Sequence, residues 1–580
     1  MKPRALVETA AAAAAATVVL AVPLVFWRWT AAHDWDYFDS LAWVVRSAVL
    51  HYGTLPLHDP WMCGGVDIGA NPQSRLLSPL MLLDLAFVPH VANLATLWLC
   101  AAGGFAGMAA LLRHLGHARR LAWLGGLLFV GSTWFSLHWS EGHLRFALIA
   151  LLPVVALAAL RLGERRMQLA MATLLSLFML EGAIYAFVYA LYLLAALTVA
   201  GIVPWRAVLQ AMRRAPWVTA CTATSAALLV ASKVVPIATI HGSEARRIEN
   251  VVLLAELPRI LLWPVQTRRN IAGMEYGFHE YGMYVGVAAI ALVTWSLLDR
   301  TLRRALRPWL VVAALFFWAA TNWLAPLSPW TALQHVPVLR NTHVPSRMFV
   351  LFHIAWIVIL VASLSRLRSR PKLVAAAAVF LSVETVAVAT TSWIAAYRWG
   401  KPANPAAATS SLLTVSHWDH TIETAKKPEH YGRGLGSRYC YEPVQSQRAT
   451  AFRGMTVYPG EIHVRRGRGT AVLESVVPGR VVFRYEGSVP AIVEINLNML
   501  GGWEVESGNA TVLAERARVT AMLRGAGTVT LAYRPGYWPV ALWLWAGGAA
   551  LLAGLWIVEM RRGRAARAVD ASTAQADEWR

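Results

Sequence analysis

The chain has 580 residues, of which 57% are hydrophobic and only 15% are charged. This composition excludes an ordinary soluble protein, because the apolar residues come in blocks close to the length that crosses a bilayer. The formal net charge of +21 does not indicate a nucleic-acid-binding protein, because the basic residues lie in short scattered clusters and not on one soluble face.

The apolar runs predict about twelve transmembrane segments, all helical because lipid cannot satisfy an open backbone. The predicted spans are 7–29, 91–112, 120–137, 144–160, 167–181, 183–203, 217–237, 282–298, 309–325, 347–365, 373–396 and 537–558. Short basic clusters then fall on one side of the membrane, as the positive-inside rule requires, and both termini are cytoplasmic. The fold class is therefore a mainly α polytopic membrane protein.

This topology divides the chain into four parts. We predict a transmembrane bundle over 1–396, an extracytoplasmic β-rich domain over 397–536, a final transmembrane helix over 537–559 and a cytoplasmic basic tail over 560–580. The first span is interpreted as an uncleaved anchor, with a cleaved signal peptide as the alternative. Function is sought in the outer loops at 30–90, 238–281 and 326–346, because loops on a rigid scaffold usually carry it.

The first outer loop opens with a pair of acids, Asp34 and Asp36. From Phe38 onward, apolar residues recur at helical spacing with polar residues on the other side, which predicts an amphipathic helix along the membrane interface. One acid caps this helix, or the pair supplies a general base, with Asp36 the first choice, and a divalent cation such as Mg²⁺ or Mn²⁺ as a further option. Asn71 and Gln73 either bind sugar hydroxyls or satisfy the backbone of their turns.

Other outer residues are candidates for a ligand pocket. Glu141 and His143 lie in a very short turn, and Glu181 lies at the outer end of a span, where ionisable groups usually face a cavity. Basic residues in outer loops run against the topological bias, so an anionic ligand is one explanation, and lipid head groups or the loops' own acids are the other. The basic candidates are Lys233, Arg340, His343 and Arg347.

The β-rich segment contains short alternating runs, VVFRYEG, AIVEINLN, ARVTAMLRG and TVTLAYRP, separated by Gly and Pro turns. They predict a small β-sandwich that serves as a structural cap or contacts glycan. Cys63 and Cys440 both fall outside the membrane, where a disulfide is permitted, whereas Cys100 and Cys221 lie in spans.

Several motifs in chain order resemble the YfhO-like branch of the GT-C superfamily of membrane glycosyltransferases. They are DWD before the first-loop helix, GTLPLHDPWMCGGVDIGANPQS with LSPL, EGH, EYGMYVG, LRNTHVPSRMF, NMLGGWEVESG and LAYRP. The chain departs from that family at His58-Asp59, where Trp-Asn is frequent, and at Glu181-Gly182, where a Gly pair is frequent. These departures leave the sugar and the acceptor open.

The resemblance implies a helical bundle whose active site faces outward and uses a polyprenyl-phosphate-linked sugar as donor, with Asp36 or Asp34 as catalytic base. The expected acceptor is a cell-envelope glycan or lipid, with inversion at the sugar if a single base is used. High alanine and arginine content indicates a bacterial plasma membrane. A transporter or flippase of an anionic lipid-linked substrate and a non-catalytic glycan-binding scaffold are the alternatives.

Overall fold

The computed structural model describes residues 3–31, 34–241, 251–267, 269–336, 342–398, 400–403, 414–415, 433–438, 449–453 and 455–578. These residues form a mostly helical protein with a β-rich region toward the C-terminus. Cys440 and Arg340 lie outside the described residues.

Helices make up most of the chain before residue 398 and return at its end. In the first half they are α1 (Pro3–Val19), α2 (Ala21–Val25), α3 (Asp34–Ser47), α4 (Met81–Ala86), α5 (Pro89–His114), α6 (Arg119–Val130), α7 (Thr133–Glu141), α8 (Leu152–Leu160), α9 (Arg165–Leu180), α10 (Ile184–Val199), α11 (Trp205–Arg214) and α12 (Pro216–His241). In the second half they are α13 (Leu257–Leu262), α14 (Phe278–Tyr281), α15 (Val287–Ser296), α16 (Arg300–Thr321), α17 (Pro329–Leu333), α18 (Phe349–Arg366), α19 (Pro371–Tyr397) and α20 (Tyr537–Glu578).

Six helical stretches of the described chain are long and apolar enough to cross a membrane. They are Pro89–His114, Arg119–Glu141, Pro216–Ile240, Pro345–Ser369, Pro371–Tyr397 and Tyr537–Arg564. The other predicted spans also coincide with helices, but several of these are shorter, such as Ile184–Val199 and Val287–Leu297. The helices are therefore those expected of a membrane protein.

The predicted first-loop helix α3 is present, and nearly all of its residues are buried by the rest of the protein. Its polar side meets polar groups of the protein in place of water. Asp39 accepts a hydrogen bond of 2.7 Å from Asn93 and lies 3.0 Å from Nδ1 of His90. Asn93 and His90 are residues of α5. Arg46 donates to backbone carbonyls, including those of Asp84 (3.2 Å) and Phe87 (3.1 Å).

The C-terminal β-rich region contains all four predicted strands. The strands of the chain are β1 (Trp29–Thr30), β2 (His58–Asp59), β3 (Val66–Asp67), β4 (Lys401–Pro402), β5 (Thr414–Val415), β6 (Leu435–Gly436), β7 (Ile462–Arg466), β8 (Gly469–Val477), β9 (Arg480–Gly487), β10 (Ala491–Asn498), β11 (Trp503–Ser507), β12 (Ala510–Val512), β13 (Arg518–Leu523) and β14 (Gly527–Tyr533). Two four-stranded antiparallel sheets result, in the orders β12-β13-β10-β7 and β11-β14-β9-β8. Alternate residues of β9, among them Val481, Phe483 and Tyr485, are buried, as a one-sided sheet requires.

The first outer loop is docked onto this β-rich region. Asp67 accepts hydrogen bonds of 2.6 Å from the hydroxyls of Tyr533 and Tyr537. The backbone N–H of Asn498 donates to the carbonyl of Gly64 at 2.7 Å. Cys63 is disulfide-bonded, and Cys100 and Cys221 are free. These contacts hold the first loop against the two sheets.

At the centre of this interface, His58 and Asp59 are completely buried. The His58 ring lies 5.0 Å from the Trp503 ring and 5.2 Å from the Tyr533 ring, and among the described residues neither of its nitrogens has a hydrogen-bond partner. Burial lowers the pKa of His58 to about 3. Burial likewise raises the pKa of Asp59 to about 7, although the N–H of Trp61 donates to this carboxyl.

We predict that Asp59→Asn changes how stability depends on pH. An acid whose pKa is raised in the folded state contributes stability that is complete below its unfolded pKa of about 4 and is lost as pH rises through about 7. The lowered pKa of His58 acts oppositely, because its contribution is present above about pH 6.5 and is lost as pH falls toward 3. In the wild type, the stability contributions of Asp59 and His58 change in opposite directions between about pH 4 and 6.5.

Removal of the Asp59 carboxyl should therefore reveal the pH dependence of stability that His58 contributes. Thermal unfolding of the purified full chain from pH 4 to 8 should show the variant losing stability more steeply than the wild type as pH falls below 6.5. Above pH 7 the variant should be more stable relative to the wild type than it is at low pH. Glu474→Gln, at an exposed acid of β8, is the matched control and should keep the wild-type profile. Identical profiles for the wild type and Asp59→Asn would contradict the burial of an ionisable acid here.

Candidate functional site

The start of α3 is packed tightly against the end of α7. Gly142 ends α7 in the left-handed conformation, with φ of 100°. A Cβ at this position would lie 2.4 Å from the backbone nitrogen of Trp35, so only glycine permits the approach. The indole Nε1–H of Trp35 donates to the carbonyl of Trp139 at 3.0 Å. These contacts bring Asp34 next to His143.

Asp34 is the first member of a short relay of polar side chains. Its Oδ2 lies 3.6 Å from Nε2 of His143, and Nδ1 of His143 lies 2.9 Å from Nδ1 of His138. Asp34 and His143 are 13% and 14% exposed, so both retain access to a ligand. A carboxylate beside an imidazole orients that ring and stabilises its protonated form, which is the arrangement that a proton-accepting pair needs.

Arg347 lies near the same relay, against an aromatic ring that His143 also contacts. Its guanidinium lies 5.0 Å from the Phe146 ring, and the His143 ring lies 5.2 Å from that same ring. Glu280 accepts from Arg347 at both oxygens, with Nε to Oε2 at 2.6 Å. Burial alone would raise the pKa of Glu280, but the charge and hydrogen bonds of Arg347 outweigh burial and hold the pKa well below its usual value. We call Asp34, His138, His143, Glu280 and Arg347 the relay cluster.

His343 borders the relay cluster through Tyr185. The Tyr185 hydroxyl accepts from the His343 backbone N–H at 2.9 Å and donates to its carbonyl at 3.1 Å. The Tyr185 ring also packs 5.1 Å from the guanidinium of Arg347 and 5.0 Å from the ring of Phe146. The structure thus brings together four of the predicted site residues, Asp34, His143, His343 and Arg347.

The second acid of the predicted pair lies elsewhere. Asp36 is 6% exposed and Glu141 is 7% exposed, so both belong to the interior beside α3. Residues two positions apart on a helix project about 200° apart, so the Asp34 and Asp36 side chains leave α3 on different sides. In the described part of the chain, no group of three or more His, Cys, Asp or Glu is placed to hold a metal ion. No step below uses a metal.

Glu181 belongs to a separate group of buried charges and does not line an open pocket. It is 0% exposed, and its Oε1 lies 3.3 Å from Nη1 of both Arg75 and Arg145. Ser78 donates to its Oε2 at 2.6 Å, and Arg75 also forms a bidentate pair with Asp84. We call Arg75, Asp84, Arg145 and Glu181 the buried charge cluster. Mutual pairing satisfies these charges in a region where an isolated one would be very costly.

Asn71, Gln73 and Lys233 hold the first loop together. The amide of Asn71 donates to the Tyr37 hydroxyl at 3.1 Å and accepts from the backbone of Gln73 at 2.8 Å. Lys233 donates to the backbone carbonyls of Asn71 and Ser74 at 2.7 and 2.8 Å. These contacts match the alternative for Asn71, whose side chain satisfies turn backbone. Lys233, which is 4% exposed, is buried against the loop.

Several residues of these two clusters were missed from sequence. His138 lies five residues before His143 in the same motif, and Glu280 opens a motif that was noted without a role. Arg145 was a detectable signal, because it interrupts the apolar run of a predicted span and an ionisable residue there needs a partner. Asp84 lies nine residues after Arg75 in the first loop, and this separation carries no periodic pattern.

No protein-family model matches this chain, and no curated protein matches it.

We predict that Arg75→Met severely destabilises the protein. The substitution leaves Asp84 and Glu181 buried with less compensating charge, and breaking a buried ion pair by removing one partner costs about 3–5 kcal/mol. Size-exclusion chromatography and thermal unfolding of the detergent-solubilised full chain should show less monodisperse protein and a lower midpoint. Arg113→Met removes a guanidinium whose pair with Glu8 is exposed (46% and 41%), and it should behave as wild type. Equal stability of the two variants would show that the buried charge cluster is not needed for the fold.

Proposed function

We propose that this chain is a membrane glycosyltransferase that moves one sugar from a polyprenyl phosphate carrier to an envelope glycan or lipid at the outer face of a bacterial plasma membrane. The observation that carries the proposal is the relay cluster, in which the partly exposed carboxylate of Asp34 lies beside His143, and His143 and Arg347 pack against the same Phe146 ring. The motif resemblance to the YfhO-like branch of the GT-C superfamily supports the same chemistry.

The proposal includes the finer topology. All twelve predicted helical segments cross the membrane, with both termini in the cytoplasm, so the relay cluster and the β-rich region share the outer face. The two four-stranded sheets stack as a sandwich over that face. Nucleotide sugars are not available there, so the donor arrives anchored in the membrane by its prenyl chain.

The reaction needs one proton acceptor and one stabilised leaving group. The acceptor hydroxyl oxygen attacks the anomeric carbon of the sugar, the bond from that carbon to the phosphate oxygen breaks, and the bonding electrons leave with the polyprenyl phosphate. The hydroxyl proton passes to Asp34, directly or through His143. Arg347, which donates to Glu280 through Nε and Nη2, is the cation assigned to stabilise the negative charge that grows on the phosphate.

We assign the base to Asp34 in preference to Asp36. Asp34 is more exposed and has an imidazole beside it, whereas Asp36 is 6% exposed on the inner side of α3. Asp36 is given a structural role at the start of the helix. Glu181 is likewise assigned to the fold, because its oxygens are already used by Arg75, Arg145 and Ser78.

We predict that Asp34→Asn lowers sugar transfer by about 100-fold or more, because a positioned general base contributes about 10²–10⁴-fold. The measurement is transfer from radiolabelled polyprenyl phosphate sugar by the full chain in lipid vesicles, with envelope lipid extract as acceptor. Asp36→Asn should reduce transfer less for the same amount of folded protein. Glu504→Gln, at an exposed acid of β11, is the control and should retain wild-type activity.

Two outcomes would contradict the proposal. Undiminished transfer by folded Asp34→Asn would remove Asp34 as the base. Wild-type protein that carries the labelled lipid across the vesicle membrane without forming a glycosidic bond would indicate a flippase, in which the same cationic groups recognise the phosphate.

A further inference from the structure

A polar cavity lies at the opposite end of α9 from Glu181. It has a volume of about 460 Å³ and is enclosed by the segment that precedes α9, by α11 and by the first turns of α12. Its charged and amide-bearing lining residues are Arg161, Glu164, Arg165, Gln168, Gln210 and Arg214. This size is within the range of small-molecule sites in proteins. The relay cluster contributes no residue to it.

The lining of this cavity is basic, with three guanidinium groups against one carboxylate. Arg161 is already paired with Glu164 through contacts of 2.8 and 2.6 Å. Within the described chain, Arg165 and Arg214 make no ion pair, so their charges are available to a bound anion. The N-termini of α9 and α12 also open at this cavity and add their positive helix-dipole ends.

Helix α11 places the cavity at the depth of lipid head groups. One side of the helix lines the cavity through Ala207, Gln210, Ala211 and Arg214, at helical spacing. On its other side, Trp205, Leu209 and Met212 are 46%, 51% and 42% exposed to the surroundings of the protein. A short basic helix with one apolar side uncovered is typical of a helix in the membrane interface. Trp217, 81% exposed, extends this apolar surface into α12.

We propose that this cavity binds the phosphate head group of an anionic phospholipid from the leaflet opposite the relay cluster. Arg165 and Arg214 contact the phosphate, Gln168 and Gln210 line the space for the polar alcohol, and the acyl chains lie along the apolar side of α11. Basic pockets between membrane helices are suited to such head groups. The site is independent of sugar transfer and gives the chain a lipid requirement of its own.

The test is binding of water-soluble short-chain phosphatidylglycerol to the detergent-purified full chain. Native mass spectrometry and the shift in the thermal unfolding midpoint measure this binding. Arg165→Gln combined with Arg214→Gln should weaken this binding roughly 30-fold, since each basic residue near a membrane surface contributes about fivefold. Arg304→Gln combined with Arg307→Gln removes the same charge from α16, outside the cavity, and should leave the dissociation constant within about twofold of wild type.

Short-chain phosphatidylcholine and inorganic phosphate separate the possible sources of the ligand. Both should bind at least tenfold more weakly than phosphatidylglycerol. Equal binding of inorganic phosphate would overturn the proposal in favour of a soluble anion, and equal binding of phosphatidylcholine would assign binding to the apolar side of α11 alone. Ala211→Trp fills the cavity without changing any charge, so it tests the site even if the arginine variant misfolds. Unchanged phosphatidylglycerol binding by folded Ala211→Trp would overturn the proposal.

Discussion

The helical bundle depends on the guanidinium of Arg75, which lies between two carboxylates where water is excluded. Asp84 lies on α4 and Glu181 directly follows α9, so this one side chain of the first loop joins segments far apart in the sequence. Because a buried charge tolerates few arrangements, the pairing is complete only when loop and helices are in register. Thr96 and Asn93 on α5 accept the remaining N–H groups and extend the constraint to that helix.

The same constraint extends to the side chains of the relay cluster. Arg145 contacts Glu181, donates to the backbone of Gln73 and lies over the ring of Phe38 on α3. Asp34 begins that helix, and the ring of Phe146, the next residue in the chain after Arg145, contacts both His143 and Arg347. The relay cluster is thus linked through Arg145 and Phe146 to the buried charge cluster, and under the proposed sugar transfer this support would be the preorganisation that electrostatic catalysis needs.

Apolar runs and alternating patterns were enough to predict the six membrane-length helices and four strands, because burial in lipid or in a sheet imposes a period on the sequence. They could not predict the surroundings of α3, since a polar stripe that faces Asn93 has the same spacing as one that faces water. The choice between Asp34 and Asp36 depends on where His143 lies, and that contact is set by the turn at Gly142. Glu181 was expected at a cavity because sequence does not show that Arg75 and Arg145 already pair with it.

The hydrogen bonds from Tyr533 and Tyr537 to Asp67 connect the beginning of the chain to its end. Ribosomes make the first loop long before the last helix, so Asp67 acquires its tyrosine partners only after nearly the whole polypeptide has been synthesised and inserted. Until then the loop lacks the surface that buries it. Completion of this interface is therefore a late event in the synthesis of the chain, and truncated or stalled products would expose an immature loop that quality-control proteases can recognise.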